Sequence, residues 1–432
     1  MPLLEKLNPK NNSASNYFPV SANSANNKYD WETVVGFFIK SLHSLKLEKN
    51  IKSLDDFKKL CKTHFTNKLD GEPFWHVIEK MYFDNKQVLN IAPEMQVLKV
   101  LNPDESNSGD ERLTSLFTSL MGDVTVTDAP KAQLNFLEQE VKNIFDSPLV
   151  TTKSQKSSKQ HIAYLPFLSA QYQQDLKFLV SYPEHFLQNI KAFLKLYGFL
   201  YTAQLSLNIK GWAQKPEVKP CYFILDSEKA SKERTKLLLH GHKQVIESSY
   251  SLFPYLALNE SLQDTKKTIT PLWQLFNELN ETDVEELNNY AATFHEDRNL
   301  TSTLCSATTT SEAISNLTKL FVEQFKKGAT RETAFNNFVK ATRETLIMPF
   351  EQNRRRAGSF LVLNQDYLLL LTNLCIGENE KLRLHELLIE FQKRGVFFDK
   401  SSEECLIDLF ERMGNVERMS DSGDAVYVKK TI

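Results

Sequence analysis

The clearest pattern of apolar and polar positions lies in the last quarter of the chain. After "SFLVL", the stretch "NQDYLLLLTNLCIG" predicts a helix capped by Asn364 and stopped near Gly377. "LHELLIEFQKRG" sets Leu384, Leu387, Leu388 and Phe391 at i, i+3, i+4 and i+7 and ends in Gly395. "SSEECLIDLFERMG" opens on a predicted capping box, Ser401 with Glu404, and aligns Leu406, Leu409, Phe410 and Met413 before Gly414. "NVERMSDSGDAVYVKK" then alternates as two short strands around an acidic turn, where Gly423 is free to take positive φ. Three helices followed by a ribbon is the order of a winged helix-turn-helix, and "KLRL" (381–384) is placed to supply a third strand.

Upstream the pattern is again helical. "DWETVVGFFIKSLHSL" begins with an Asp30 cap, and "SLDDFKKLCKTHF" puts Phe57, Leu60, Cys61 and His64 on one face. "TSEAISNLTKLFVEQFKKG" carries a stripe of Ile314, Leu317, Leu320, Phe321 and Phe325, with Gly328 as its stop. "CYFILD" (221–226) reads as a buried strand. Residues 1–29, rich in asparagine and serine, offer little to bury and read as extended or mobile. The polar, basic stretch "TTKSQKSSKQ" (151–160) reads as a linker. The expectation is a mainly α, multi-domain protein with few short strands. It has an N-terminal helical domain (30–150), an aromatic-rich central domain (161–356) and a C-terminal winged helix-turn-helix (357–432).

Composition narrows the function. Hydrophobic residues make up 41% and charged residues 25%, a globular balance. Thirteen glycines in 432 residues leave no phosphate-cradling G-x-x-x-x-G-K-[ST] or G-x-G-x-x-G loop, so an ordinary nucleotide-binding fold is not expected. Five scattered cysteines without C-x-x-C point away from a disulfide framework and towards a reducing cytoplasm. The opening segment is too polar for a signal peptide. The run 359–377 is broken by Asn364, Gln365, Asp366 and Asn373, so no membrane association is expected.

With a net charge of −2, nucleic-acid binding has to come from local clusters. Lys326, Lys327, Arg331, Lys340, Arg343, Arg354, Arg355 and Arg356 form such a cluster, and arginine forks suit phosphate oxygens. Lys153, Lys156 and Lys159 are a weaker one. In a winged helix the third helix ordinarily enters the major groove. Here Glu404, Asp408 and Glu411 form an acidic stripe on it, and Asp421 and Asp424 lie at the wing tip. That stripe would be repelled by a duplex and suits docking to a protein, leaving Arg418, Lys429 and Lys430 as the basic flanks.

Catalytic readings are weak. Cys61, His64 and His76 lack a fourth zinc ligand, and His240 and His242 diverge on a helix. Asp226 and Glu228 end a strand where carboxylates could hold Mg²⁺ for nuclease chemistry, but their spacing fits no defined pattern. "DSGD" lacks the ligand run of a Ca²⁺ loop, and no G-x-S-x-G is present. No catalytic residue, metal or cofactor is therefore expected.

The segment from Arg356 to Val428 resembles the C-terminal part of the DptG (DndG) family. These proteins are subunits of the DNA phosphorothioation-dependent restriction systems of bacteria. The resemblance is most specific in "FLVLNQDYLLLLTNL", "FQKRGVFFDKSS" and "ERMSDSGDAVYV". It implies a cytoplasmic defence protein that acts with ATPase and helicase-like subunits on double-stranded DNA lacking the mark. The absent phosphate loop agrees with a non-ATPase member. A protein-only scaffold and a nuclease using Asp226 and Glu228 remain the alternatives. The resemblance supplies no catalytic residues.

Overall fold

The computed structural model describes residues 3–4, 6–9, 13–68, 72–101, 107–124, 126, 130, 132–148, 150–153, 162–229, 234–264, 267–418 and 426–432. Within them the chain is mainly α, with seventeen α-helices and ten short strands. Among the described residues no helix is long and apolar enough to cross a membrane. The apolar run that invited that question is a strand, Ser359–Leu363, followed by a buried helix, Gln365–Ile376.

The chain divides into two compact units, one of residues 28–158 and 176–194, the other of residues 1–27, 159–175 and 195–432. In the smaller unit the helix Trp31–Leu42 starts where the Asp30 carboxylate accepts from the backbone N–H groups of Glu32 and Thr33. It lies against the 3₁₀ segment Pro93–Val100 so closely that a Cβ on Gly36 would come within 2.8 Å of a Val100 methyl. The helix Leu54–Lys68 buries Phe57, Cys61 and Phe65 at four-residue spacing. Phe57 meets Phe145 edge-on at 6.4 Å and Phe83 at 6.2 Å. His64, expected on that apolar face, is half-buried at its edge with Nε2 3.1 Å from Glu140. Of the stretch read as a linker, Thr151–Lys153 is a strand paired antiparallel with Leu45–Leu47, while 154–160, with Lys156 and Lys159, lie outside the described residues.

In the larger unit the described part of the opening segment alternates turns and bends with irregular stretches and includes the 3₁₀ stretch Ser24–Asn26, and the expectation that it has little to bury is corrected. Tyr17, Phe18 and Val20 are buried, and Tyr17 donates to the Ile269 carbonyl at 2.7 Å. Stacked rings fill the core: Phe253 sits 4.6 Å from Phe325 and 4.7 Å from Phe338, and Phe294 4.4 Å from Phe321. "CYFILD" is two strands rather than one. Cys221–Tyr222 runs parallel to Val396–Phe397, and Ile224–Leu225 runs parallel to Val362–Leu363. The break at Phe223 lets each half pair with a different segment.

The C-terminal region contains the helices Gln365–Ile376, Leu384–Lys393 and Lys400–Met413. A three-stranded antiparallel sheet accompanies them, with Val426–Lys429 between Lys381–Arg383 and Val416–Arg418. The turn between the last two strands, with Asp421, Gly423 and Asp424, lies outside the described residues. The third helix does not begin with the Ser401–Glu404 box. Its cap lies two residues earlier, at Asp399, which accepts from the Ser402 N–H at 3.1 Å. This adds Lys400 to the helix and dilutes its negative charge.

Candidate nucleic-acid interface

Arg354, Arg355 and Arg356 belong to the turn of an antiparallel hairpin. Its strands are Glu351–Asn353 and Ser359–Leu363, with Asn353 opposite Ser359. The Arg354 N–H donates to the Gly358 carbonyl at 2.8 Å and the Gly358 N–H to the Arg355 carbonyl at 3.1 Å. So tight a return requires positive φ at two positions, Gly358 at 101° and Arg355 at 53°. The second strand also pairs with Ile224–Leu225, which fixes the hairpin to the body of the unit.

The three arginines do different things. Arg354 turns back on the fold, donating to the Asp226 carbonyl at 2.6 Å and approaching the Asp226 carboxylate at 3.5 Å. Gln352 donates to the same carboxylate at 3.0 Å. Arg355 and Arg356 are exposed at the tip. One strand-length away, Arg343 grips Glu351 through both carboxylate oxygens, at 3.1 and 2.7 Å. Burial would raise the Glu351 carboxyl, yet Arg343 and His242 hold it below its usual value.

The remaining expected cations are spread over other elements. Lys326 and Lys327 are exposed after the helix Thr310–Glu323, around Gly328. Arg331 is half-buried, close enough to Arg298 to depress its pKa, although burial is the larger cause. Lys340 is exposed, 3.9 Å from Glu344 on the next helical turn. At the C-terminal sheet, Arg418 forks onto Glu411, and Lys429 lies 2.8 Å from Glu417. Lys430 reaches the Gly377 carbonyl at 3.3 Å. Of the acidic stripe, Glu411 is thus paired with Arg418, whereas Glu404 and Asp408 are exposed.

Asp226 and Glu228 do not converge on a common point. Asp226 faces the hairpin, while Glu228 is buried, with Ser402 donating to both its oxygens at 3.1 and 3.0 Å. Arg234 bridges Glu228 to Asp399, the cap of the acidic helix. Among the described residues no group of three or more His, Cys, Asp or Glu side chains could hold a metal ion. Nothing local in the sequence marks Arg234 for this bridging position. Neither a family model nor a curated protein matches this chain.

Proposed function

We propose that this chain is a non-catalytic, non-ATPase subunit of a bacterial phosphorothioation-dependent restriction complex. In this reading it acts in the cytoplasm, holds double-stranded DNA by its phosphates without reading sequence, and docks ATPase and helicase-like partner subunits. The family assignment is supported by the resemblance in residues 356–428. The DNA half is supported by one observation above all: Arg355 and Arg356 are exposed at the tip of a hairpin that hydrogen bonds hold on both sides. A fixed backbone turn spares the chain the cost of ordering a loop when its exposed guanidinium groups meet phosphate oxygens.

The winged helix-turn-helix reading of the C-terminal region is supported by its order of helix, strand, helix, helix and two strands, with the last strand central in the sheet; the short strand Val396–Phe397 between the second and third helices pairs outside that sheet. Its exposed Glu404 and Asp408 favour a protein partner on the third helix. The same carboxylates support a second reading, in which the chain is a protein-only scaffold. A nuclease built on Asp226 and Glu228 is disfavoured, because Glu228 is buried and occupied by Arg234 and Ser402.

Gel-shift titration of a duplex across a salt series separates the readings. Phosphate contact by the hairpin predicts that the double variant Arg355→Ala, Arg356→Ala binds more weakly. Its log–log salt slope should fall by roughly 1.8, about 0.9 per lost phosphate contact. No duplex binding by the intact chain at physiological salt, with retained co-purification of the ATPase subunits, selects the scaffold instead.

A further inference from the structure

We propose that a cavity of about 290 Å³ in the unit of residues 28–158 and 176–194 is a binding site for a small organic cation, an ammonium group on a short apolar body. Its size is at the lower end of the range for small-molecule sites, and it combines an apolar wall with a convergent set of polar groups. Pro93, Val126, Pro130, Leu134, Val180 and Phe186 supply the wall. His43, Glu94, Lys142 and Asp146 supply the polar end.

The preference for a cation follows from the charges at that end. Lys142 Nζ lies 2.8 Å from Glu94 and 2.5 Å from Asp146, so one ammonium is shared by two carboxylates. Burial is the main force holding His43 below its usual pKa, with Lys142 acting the same way against Glu94, so the ring is neutral at pH 7. Burial would raise Glu94, but Lys142 pulls it below its ordinary value and keeps it ionised. One negative charge is left over. The backbone adds to it: His43 and Asp146 follow the last residues of the helices Trp31–Leu42 and Phe136–Phe145, and Val180 ends a third. Helix C-termini carry negative partial charge. Two helical segments begin at the cavity, at Pro93 and Pro183, and offset only part of this. In a partly enclosed cleft of lowered dielectric, an uncompensated carboxylate draws a cation much more strongly than at an open surface.

Isothermal titration of the full chain with 2-phenylethylammonium chloride at pH 7.5 tests this, with 2-phenylethanol and phenylacetate as the neutral and anionic counterparts. The amine should bind, the alcohol roughly tenfold more weakly, and the acid not at all. Glu94→Gln should weaken the amine roughly tenfold while leaving the alcohol unchanged. Asp146→Asn, at a more exposed position, serves if the first variant fails to fold. Ala132→Trp should abolish binding of both by filling the cavity, with the circular dichroism spectrum unaltered. Equal affinity for amine and alcohol, indifference to both carboxylate variants, or no amine binding at millimolar concentration overturns the proposal.

Discussion

Arg394 and Asp175 form a two-pronged ion pair with neither side chain exposed: Nε reaches Oδ2 at 2.8 Å and a terminal nitrogen reaches Oδ1 at 2.5 Å. The Tyr197 hydroxyl donates to Oδ2 at 2.5 Å, and Arg394 also donates to the Glu390 carbonyl at 2.8 Å. Every strong hydrogen-bonding group of the pair is thereby occupied, which is the condition under which buried charge is tolerated. Asp175→Ala should therefore cost about 3–5 kcal/mol, by leaving the buried guanidinium with only the Glu390 carboxylate, 3.3 Å away, as a charged partner. The double variant Asp175→Leu, Arg394→Met should be less damaging than either single change. Urea denaturation of the four proteins is the measurement, and a simple sum of the two single effects would contradict the pairing.

Gly395, beside that arginine, has φ of +84°, and a Cβ there would overlap the Gln204 side-chain amide. Gln204 has no room to yield, because its amide donates to the Lys219 carbonyl at 2.7 Å and accepts from the Lys219 N–H at 2.9 Å. Gly395→Ala is expected to destabilise by more than the ~1 kcal/mol of the backbone conformation alone. Adding Gln204→Ala should recover part of the loss in a thermal melt.

Arg234 is the common partner of Glu228 and Asp399. Burial would raise the Asp399 carboxyl, but Arg234 and the Ser402 N–H hold it below its usual value. A depressed folded value means stabilisation that is complete above the ordinary carboxylate range and lost as pH falls through the folded value. Arg234→Met should lower stability at pH 7 and flatten the acid limb of the stability curve. If the variant keeps the wild-type acid limb, Asp399 is not the group that Arg234 holds.

Glu32 gives the smaller unit a similar acid sensitivity. Burial alone would raise its carboxyl, but Lys191 and Lys99, each 2.5 Å away, pull it from 4.5 to about 2. The stabilisation is fully present above pH 4.5 and is lost as pH falls towards 2. Glu32→Gln should remove that dependence and lower neutral-pH stability by the same amount, a modest one because Glu32 and Lys191 are each about half exposed. Acid titration followed by circular dichroism compares the two proteins.

Local signals in the sequence carried the helices but not the residues that tie them together. Asn364 caps its helix by accepting from the Tyr367 N–H, and Gly377 ends it at φ +58°, both as the spacing predicts. The strand at Lys381–Arg383 follows from the same alternation. The start of the third helix is not legible locally, because Ser401 and Glu404 make a good local box while the actual cap, Asp399, is held by an arginine 165 positions away. Arg354 likewise looks like its two neighbours in sequence, and only its contact with Asp226, 128 residues upstream, removes it from the exposed set. Hydrophobic periodicity reports which face turns inward. It does not report which distant polar group waits there.

Arg355, with its φ of 53°, occupies a place where glycine would be the thermodynamic choice. The protein thus keeps a long, charged side chain on a backbone that disfavours it, at a cost of about 1–2 kcal/mol. Arg355→Gly would undo that compromise. On the proposed DNA-holding role, folding and duplex affinity should then move in opposite directions, the variant melting higher and binding DNA less, a divergence that a residue present only for stability would not produce.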